Sequence, residues 1–232
     1  MRELIARLQK EVRAYSETEH LIDTMAIISR PTYLHCLRVM GYSALVCTMD
    51  ETIDEYYKRD IIVSALLHDI GKVKINPVLK KATVLDEDDW NKIRQHPELG
   101  YLLCVGRFSN IVLNGIRYHH ERLDGSGYDS KLKGSQIPVE ARIIAVCDAY
   151  DAMTSNRIYK DAVNRDDAFK ELDKDVAQGK YDPKYVNFLR NIIYSYDIVS
   201  MDSIPKAGKR IYLPGDEKLK FKDIILQQSL IF

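Results

Sequence analysis

No excess of either charge marks this chain: 34 Lys and Arg stand against 34 Asp and Glu, a formal net charge of zero. A general nucleic-acid binder needs surplus Lys and Arg to neutralise backbone phosphates, so the balance argues against a nucleic-acid polymer as partner. A small anionic substrate needs only a few local cations and stays open. Long apolar runs are missing too. The longest near the N-terminus, Met25 to Ile28, falls far short of a signal-peptide core or a membrane span, so the expectation is a cytoplasmic protein without membrane insertion. Cysteine is scarce. Cys36, Cys47, Cys104 and Cys147 form no CxxC pair, and each lies in an apolar stretch, which reads as buried reduced thiols. No internal repeat or low-complexity segment breaks the chain.

What is present is ordinary globular material: 232 residues, 46% apolar and 29% charged, enough for one domain with a modest appendage. The periodicity is helical almost throughout. Leu4, Ile5, Leu8, Val12 and Tyr15 form one apolar stripe, suited to packing on the chain's own bundle or to a dimer seam. Helices are expected over Pro31–Met49, Ile53–Leu67, Asn110–His120, Pro138–Ser155, Asp166–Ala177 and Pro183–Tyr194. Another opens after an Asp86 cap and runs to about Cys104, and Asp182 caps the helix that begins with Pro183. The Gly- and Asp-rich stretch Leu123–Gly134 reads as a loop. Beyond about Tyr196, Pro205, Gly208, Pro214 and Gly215 punctuate short strand-like pieces such as Arg210–Leu213. The expectation is an all-α bundle with a small C-terminal appendage of short strands: an N-terminal helical segment 1–29, a main catalytic domain 30–195 and an appendage 196–232.

Three constellations carry chemistry. In Leu66-Leu67-His68-Asp69-Ile70-Gly71-Lys72 an apolar helix ends in an adjacent imidazole and carboxylate, pointing roughly 100° apart, before glycine turns the chain away. A carboxylate can bridge two cations, which makes Asp69 a natural shared ligand. The same residues would also serve as a surface ion pair, Asp69 with Lys72, beside a C-capping histidine. In His119-His120-Glu121-Arg122-Leu123-Asp124-Gly125-Ser126-Gly127-Tyr128, doubled imidazoles before a glycine-containing loop suit coordination or phosphate contact, the alternative being a solvated loop. In Ala141–Ser155 an apolar helix carries Asp148 and Asp151 at i,i+3 on one face. Carboxylates buried there need a cation or several hydrogen bonds. Arg142, six residues from Asp148, is poorly spaced for that role.

These blocks resemble the HD-GYP subgroup of the HD phosphohydrolases, bacterial enzymes that linearise and cleave cyclic di-GMP. The resemblance runs in order over about residues 30–195. It takes in Thr32-Tyr33-Leu34-His35-Cys36-Leu37-Arg38-Val39, Leu67–Lys72, His96-Pro97-Glu98-Leu99-Gly100, His119–Tyr128, Ala141–Asp151, Arg157–Lys160 and Asp182-Pro183. It implies a di-metal helical bundle in which His35, His68, Asp69 and Asp148 bind one ion, and Asp69 bridges to a second held by His96, His119 and His120. His35 and His96 enter on resemblance alone. Mixed imidazole and carboxylate donors suit iron, manganese or a similar first-row ion, and the resemblance points to iron or manganese. The implied mechanism is in-line hydrolysis of cyclic di-GMP, to linear pGpG or GMP, by a metal-bridging hydroxide, with Lys72 meeting a phosphate oxygen. By the same resemblance Tyr128, Arg157 and Lys160 contact substrate, although the two cations would equally be solvated helix-end charges. Glu121, Asp124 and Asp151 orient ligands and loop.

The chain departs from the family pattern twice. The proline of the GYP triplet is Asp129, which loosens the loop. Pro31 stands where three-metal members place a glutamate, so two metals are expected. The rivals are hydrolysis of another nucleotide on the same metal site, and a non-catalytic dinucleotide sensor that passes its signal through partners; a homodimer or a signalling-protein partner is the expected association.

Overall fold

The computed structural model describes residues 16–79, 86–128, 130–155, 162–195, 210–211 and 219–220. Helices α1 (Ser16–Ile28), α2 (Arg30–Thr48) and α3 (Glu55–Leu67) lead into a 3₁₀ turn (Ile70–Lys74) and the short α4 (Asn76–Leu79). Then come α5 (Glu87–Ile93), α6 (His96–Cys104), α7 (Asn110–Tyr118), α8 (Val139–Thr154), α9 (Arg165–Ala177) and α10 (Pro183–Ser195).

Two helices sit at the centre because they are apolar nearly all round, as a helix without a solvent face must be. In α2 residues His35–Leu37 and Val39–Cys47 are all buried, and α8 buries Ile143–Cys147 and Tyr150. The two pack together, with α1, α3 and α10 against α2 and with α3, α7, α9 and α10 against α8. Tyr42 and Tyr150 meet edge to face across this junction, ring centroids 5.4 Å apart. Helix α7 crosses α3 closely at Gly115, where a β-carbon would lie 2.1 Å from Ser64 Oγ. That hydroxyl donates to the Val112 carbonyl at 2.9 Å.

The helix starts follow side-chain chemistry. Asp54 accepts from the Tyr57 amide, Asp86 and Asp89 form a reciprocal capping box, and Asn164 accepts from the Asp167 amide. Asp182 accepts from the Lys184 amide at 3.0 Å, so its expected capping role is met. The single helix expected from Asp86 to Cys104 is instead two, broken at Arg94–Gln95. Pro97 lacks an amide hydrogen and crowds the residue before it, which stops one helix and suits the first turn of the next. That break creates a second helix N-terminus, and His96 stands on it.

The helical bundle is therefore all-α, and the expected appendage of short strands is corrected. Of residues 196–232 only Arg210–Ile211 and Leu219–Lys220 are described, as an antiparallel ladder of two residues a side. Pieces so short make no strand layer, since ordinary strands run about 5–6 residues. The rest of that segment, and the apolar stripe Leu4–Tyr15, lie outside the described residues. All four cysteines are buried and free. Among the described residues no helix is long and apolar enough to cross a membrane.

Candidate metal centre

Helix ends converge on one buried pocket. His68 caps the C-terminus of α3, Asp69 follows it, His96 begins α6, His119 caps α7 and His120 follows. His35 and Asp148 project from the middles of α2 and α8. His68, Asp69, His96 and His119 are 0–1% exposed. All seven residues expected as ligands thus lie together, including His35 and His96, which spacing alone did not reach.

Asp69 is the hub. Its Oδ1 lies 3.1 Å from His96 Nε2 and 4.0 Å from His119 Nε2, and its Oδ2 lies 3.5 Å from His68 Nε2 and 3.6 Å from His35 Nε2. Two donor groups flank it, each with ligand atoms within 4.8 Å of one another: His35, His68 and Asp148 on one side, His96, His119 and His120 on the other. Cys36 falls in a third such group with His68 and Asp69, a neighbour that residue-type reasoning had assigned only to the core.

The imidazoles are oriented by what holds their outer nitrogens. Nδ1 of His68, His96 and His119 lies 2.7, 2.7 and 2.8 Å from the carbonyls of Ala65, Ile93 and Ile116, each three residues back. A carbonyl only accepts, so each Nδ1 carries the proton and each Nε2 turns a lone pair inward. His96 Nε2 and His119 Nε2 then face each other at 3.2 Å. Two lone pairs at that distance repel unless a cation or an added proton lies between them. His68 Nε2 and Asp69 Oδ1 are buried with no hydrogen-bond partner. Leaving such a group unmet costs about 1–3 kcal/mol. The donor set, neutral imidazoles around shared carboxylates, therefore fits one or more divalent cations.

The electrostatics agree. Burial and the neighbouring imidazoles push His119 and His120 well below the ordinary histidine range, and burial lowers His68 as well, so these rings stay neutral. Burial would raise Asp69 and Asp148, but Lys72 beside the first and His35 beside the second hold both well below the carboxylate range. His35 differs. Burial disfavours its charge, yet the Asp148 and Asp151 carboxylates outweigh that and lift it to about 9. Its Nε2 lies 3.0 Å from Asp148 Oδ1, so a cation there would take the place of a proton.

The remaining expected residues surround this core. Lys72 Nζ donates to Asp69 Oδ2 at 2.6 Å. The i,i+3 ion pair foreseen as an alternative does exist, but its carboxylate is buried rather than on the surface. Tyr128 stacks on His120, centroids 4.7 Å apart. Glu121 accepts from the amides of Ser130 at 2.5 Å and Leu132 at 3.1 Å, pinning the loop that carries Tyr128. Gly127 is required there, since a β-carbon would lie 2.5 Å from Glu121 Oε2 and 2.6 Å from Glu121 Cα. Asp124 is exposed and accepts from the Ser126 amide, shaping the loop's first turn. Asp151 accepts from His35 Nδ1 at 2.6 Å. Arg142 faces away, donating to the Ile137 carbonyl and to Asp182. Arg157, Lys160 and Asp129 lie outside the described residues. Arg38, which clasps Asp151, was missed as a site residue, although its i,i+3 spacing from His35 was a usable signal.

Comparison with known proteins places this geometry. The chain is 42% identical over 142 residues to the cyclic di-GMP phosphodiesterase response regulator RpfG of Xanthomonas campestris, covering 59% of this chain and 37% of that protein. It is 33% identical over 177 residues to the 3'3'-cGAMP-specific phosphodiesterase 2 of Vibrio cholerae, covering 73% of this chain and 33% of that one. The chain thus spans well under half the length of these curated relatives. Among solved structures, Bd1817, a HDG"Y"P protein from Bdellovibrio bacteriovorus, shares the fold with a TM-score of 0.60 at 20% identity, covering 79% of this chain and 64% of that one. The HD domain family model matches residues 12–185, three quarters of the sequence, and the chain belongs to the HD domain family.

Proposed function

We propose that this chain is a metal-dependent phosphodiesterase of the HD-GYP kind that hydrolyses a cyclic dinucleotide, with cyclic di-GMP as its first substrate. The observation that carries this reading is the inward-turned set of Nε2 atoms around buried Asp69, two of them facing each other at 3.2 Å. In this reading His35, His68, Asp69 and Asp148 hold one divalent ion, and Asp69, His96, His119 and His120 hold another; the donor chemistry suits a first-row ion, and the family resemblance points to iron or manganese. Bound there, the ions would supply an activated water and offset charge on the phosphate.

The chain's own residues do the rest. The Nδ1–H bonds to Ala65, Ile93 and Ile116 hold three rings in one tautomer, so no reorganisation is needed when substrate arrives. Lys72, one-fifth exposed beside Asp69, meets a non-bridging phosphate oxygen where negative charge grows. Tyr128 offers its ring as a pocket wall beside His120, and the clasp of its loop by Glu121 keeps it there. Arg157 and Lys160, taken from the resemblance, contact the nucleotide. Products are linear pGpG, GMP or both.

Similarity to a 3'3'-cGAMP-specific relative makes that nucleotide the competing substrate. The test is a panel at matched concentration with iron(II) or manganese(II): cyclic di-GMP, 3'3'-cGAMP and a nucleoside monophosphate. Preferential turnover of cyclic di-GMP is expected. Preference for 3'3'-cGAMP would reassign the substrate, and tight nucleotide binding with no turnover by metal-loaded protein would replace the enzyme with a sensor.

A further inference from the structure

Four described histidines of the centre have their Nδ1 held, but not in the same way. His68, His96 and His119 lean on helix-end carbonyls three residues back, whereas His35, in mid-helix, has Nδ1 2.6 Å from Asp151 Oδ2. Its orientation therefore depends on a side chain from another helix. That side chain is itself held. Arg38, one turn beyond His35 on α2, donates Nε to Asp151 Oδ1 at 2.7 Å and a terminal nitrogen to Oδ2 at 3.0 Å. Ser155 Oγ adds a contact to Oδ1 at 3.2 Å, so the acceptor positions of a fully buried carboxylate are used.

The charges are divided in a telling way. Three carboxylates gather at the site. Asp69 is paired with Lys72 and Asp151 with Arg38, while Asp148, among the described residues, has only His35. Among the described residues, the carboxylate without a permanent cationic partner is the one facing the inner nitrogen of His35. We propose that Arg38 is a positioning residue for the metal centre: by gripping Asp151 through Nε and one terminal nitrogen, it keeps Nδ1 of His35 as the donor and aims Nε2 at Asp148 and Asp69. This rests on the metal-centre reading above. A guanidinium suits the task because its planar fork matches both carboxylate oxygens and its charge offsets Asp151, leaving Asp148 free to ligate.

The test measures manganese(II) affinity of metal-free protein by competition with a chelator, in wild type, Arg38→Gln and Arg38→Lys. It also follows the His35 Nδ1 proton by NMR of isotope-labelled histidine in zinc-loaded protein. Arg38→Gln is expected to weaken binding by about 10–100-fold and to lose or broaden the Nδ1 proton signal. Arg38→Lys restores the charge without the fork and is expected to recover only part. A lower melting temperature with unchanged affinity and an unchanged Nδ1 signal would overturn the proposal and leave the metal centre standing. If Arg38→Gln does not fold, wild-type affinity in Arg38→Lys would overturn it equally. Wild-type protein that takes up no metal would overturn both this proposal and the reading beneath it.

Discussion

At the scale of single residues, the site is organised by the outer nitrogens of its histidines. An imidazole offers either nitrogen to a cation, and an unconstrained ring would have to select one on binding. Here helix-end carbonyls make the selection for His68, His96 and His119, and Asp151 makes it for His35. Glu121 does comparable work for the loop. As a carboxylate it receives two backbone amides, and a glutamine would offer one acceptor and turn a donor at the other amide. Glu121→Gln is expected to cost about 1.5–3 kcal/mol of stability and to raise KM, with metal content unchanged. Chemical denaturation, steady-state kinetics and metal analysis check this together; a loss of bound metal would make Glu121 part of the centre itself.

At the scale of elements, the centre exists because helix ends meet. The 3₁₀ turn after Asp69 lies so close to the start of α6 that a β-carbon on Gly71 would sit 2.0 Å from the His96 carbonyl and 2.6 Å from the Gly100 amide nitrogen. This contact brings Asp69 within 3.1 Å of His96. Gly71→Ala must push the two backbones apart, so a destabilisation of about 1–3 kcal/mol or more is expected, together with weaker metal uptake. Thermal melts and metal titration read both; a variant that melts and loads like wild type would show that the close approach is not needed. The sequence signalled much of this level. The capping residues Asp86 and Asp182 and the apolar periodicity marked helix positions, because both are local. The break at Arg94–Gln95 was missed because Pro97 is tolerated within a first helical turn as readily as it ends a helix, and only packing on Gly71 decides between them. Helix α1 falls within the segment 1–29 expected to be helical, and its buried residues Leu21, Ile22 and Met25 form a short stripe among polar neighbours.

For the whole molecule, the bundle is a scaffold that brings residues more than a hundred positions apart to one buried point. His35 and Asp151 are 116 residues apart in sequence yet 2.6 Å apart in space. Motif order made the candidate ligand set legible, because His68-Asp69 and His119-His120 are dense local signals. Arg38 carried only a weak signal, its i,i+3 spacing from His35, since a lone arginine on a helix reads as solvated until its carboxylate partner is seen across the interface. The appendage of strands was expected from turn residues and short apolar pieces, but such pieces build a sheet only when longer strands pair. The family is established by the match over residues 12–185, and the metal centre is the claim on which the proposed chemistry depends. The most direct test counts metal in anaerobically purified protein and in its Asp69→Ala variant, with cyclic di-GMP turnover followed in the same samples. About two ions per wild-type chain, loss of metal in Asp69→Ala, and product only from the wild type are expected. Wild-type protein that stays free of metal under iron(II) and manganese(II) loading, or an Asp69→Ala variant that binds and cleaves as well as wild type, would contradict the account.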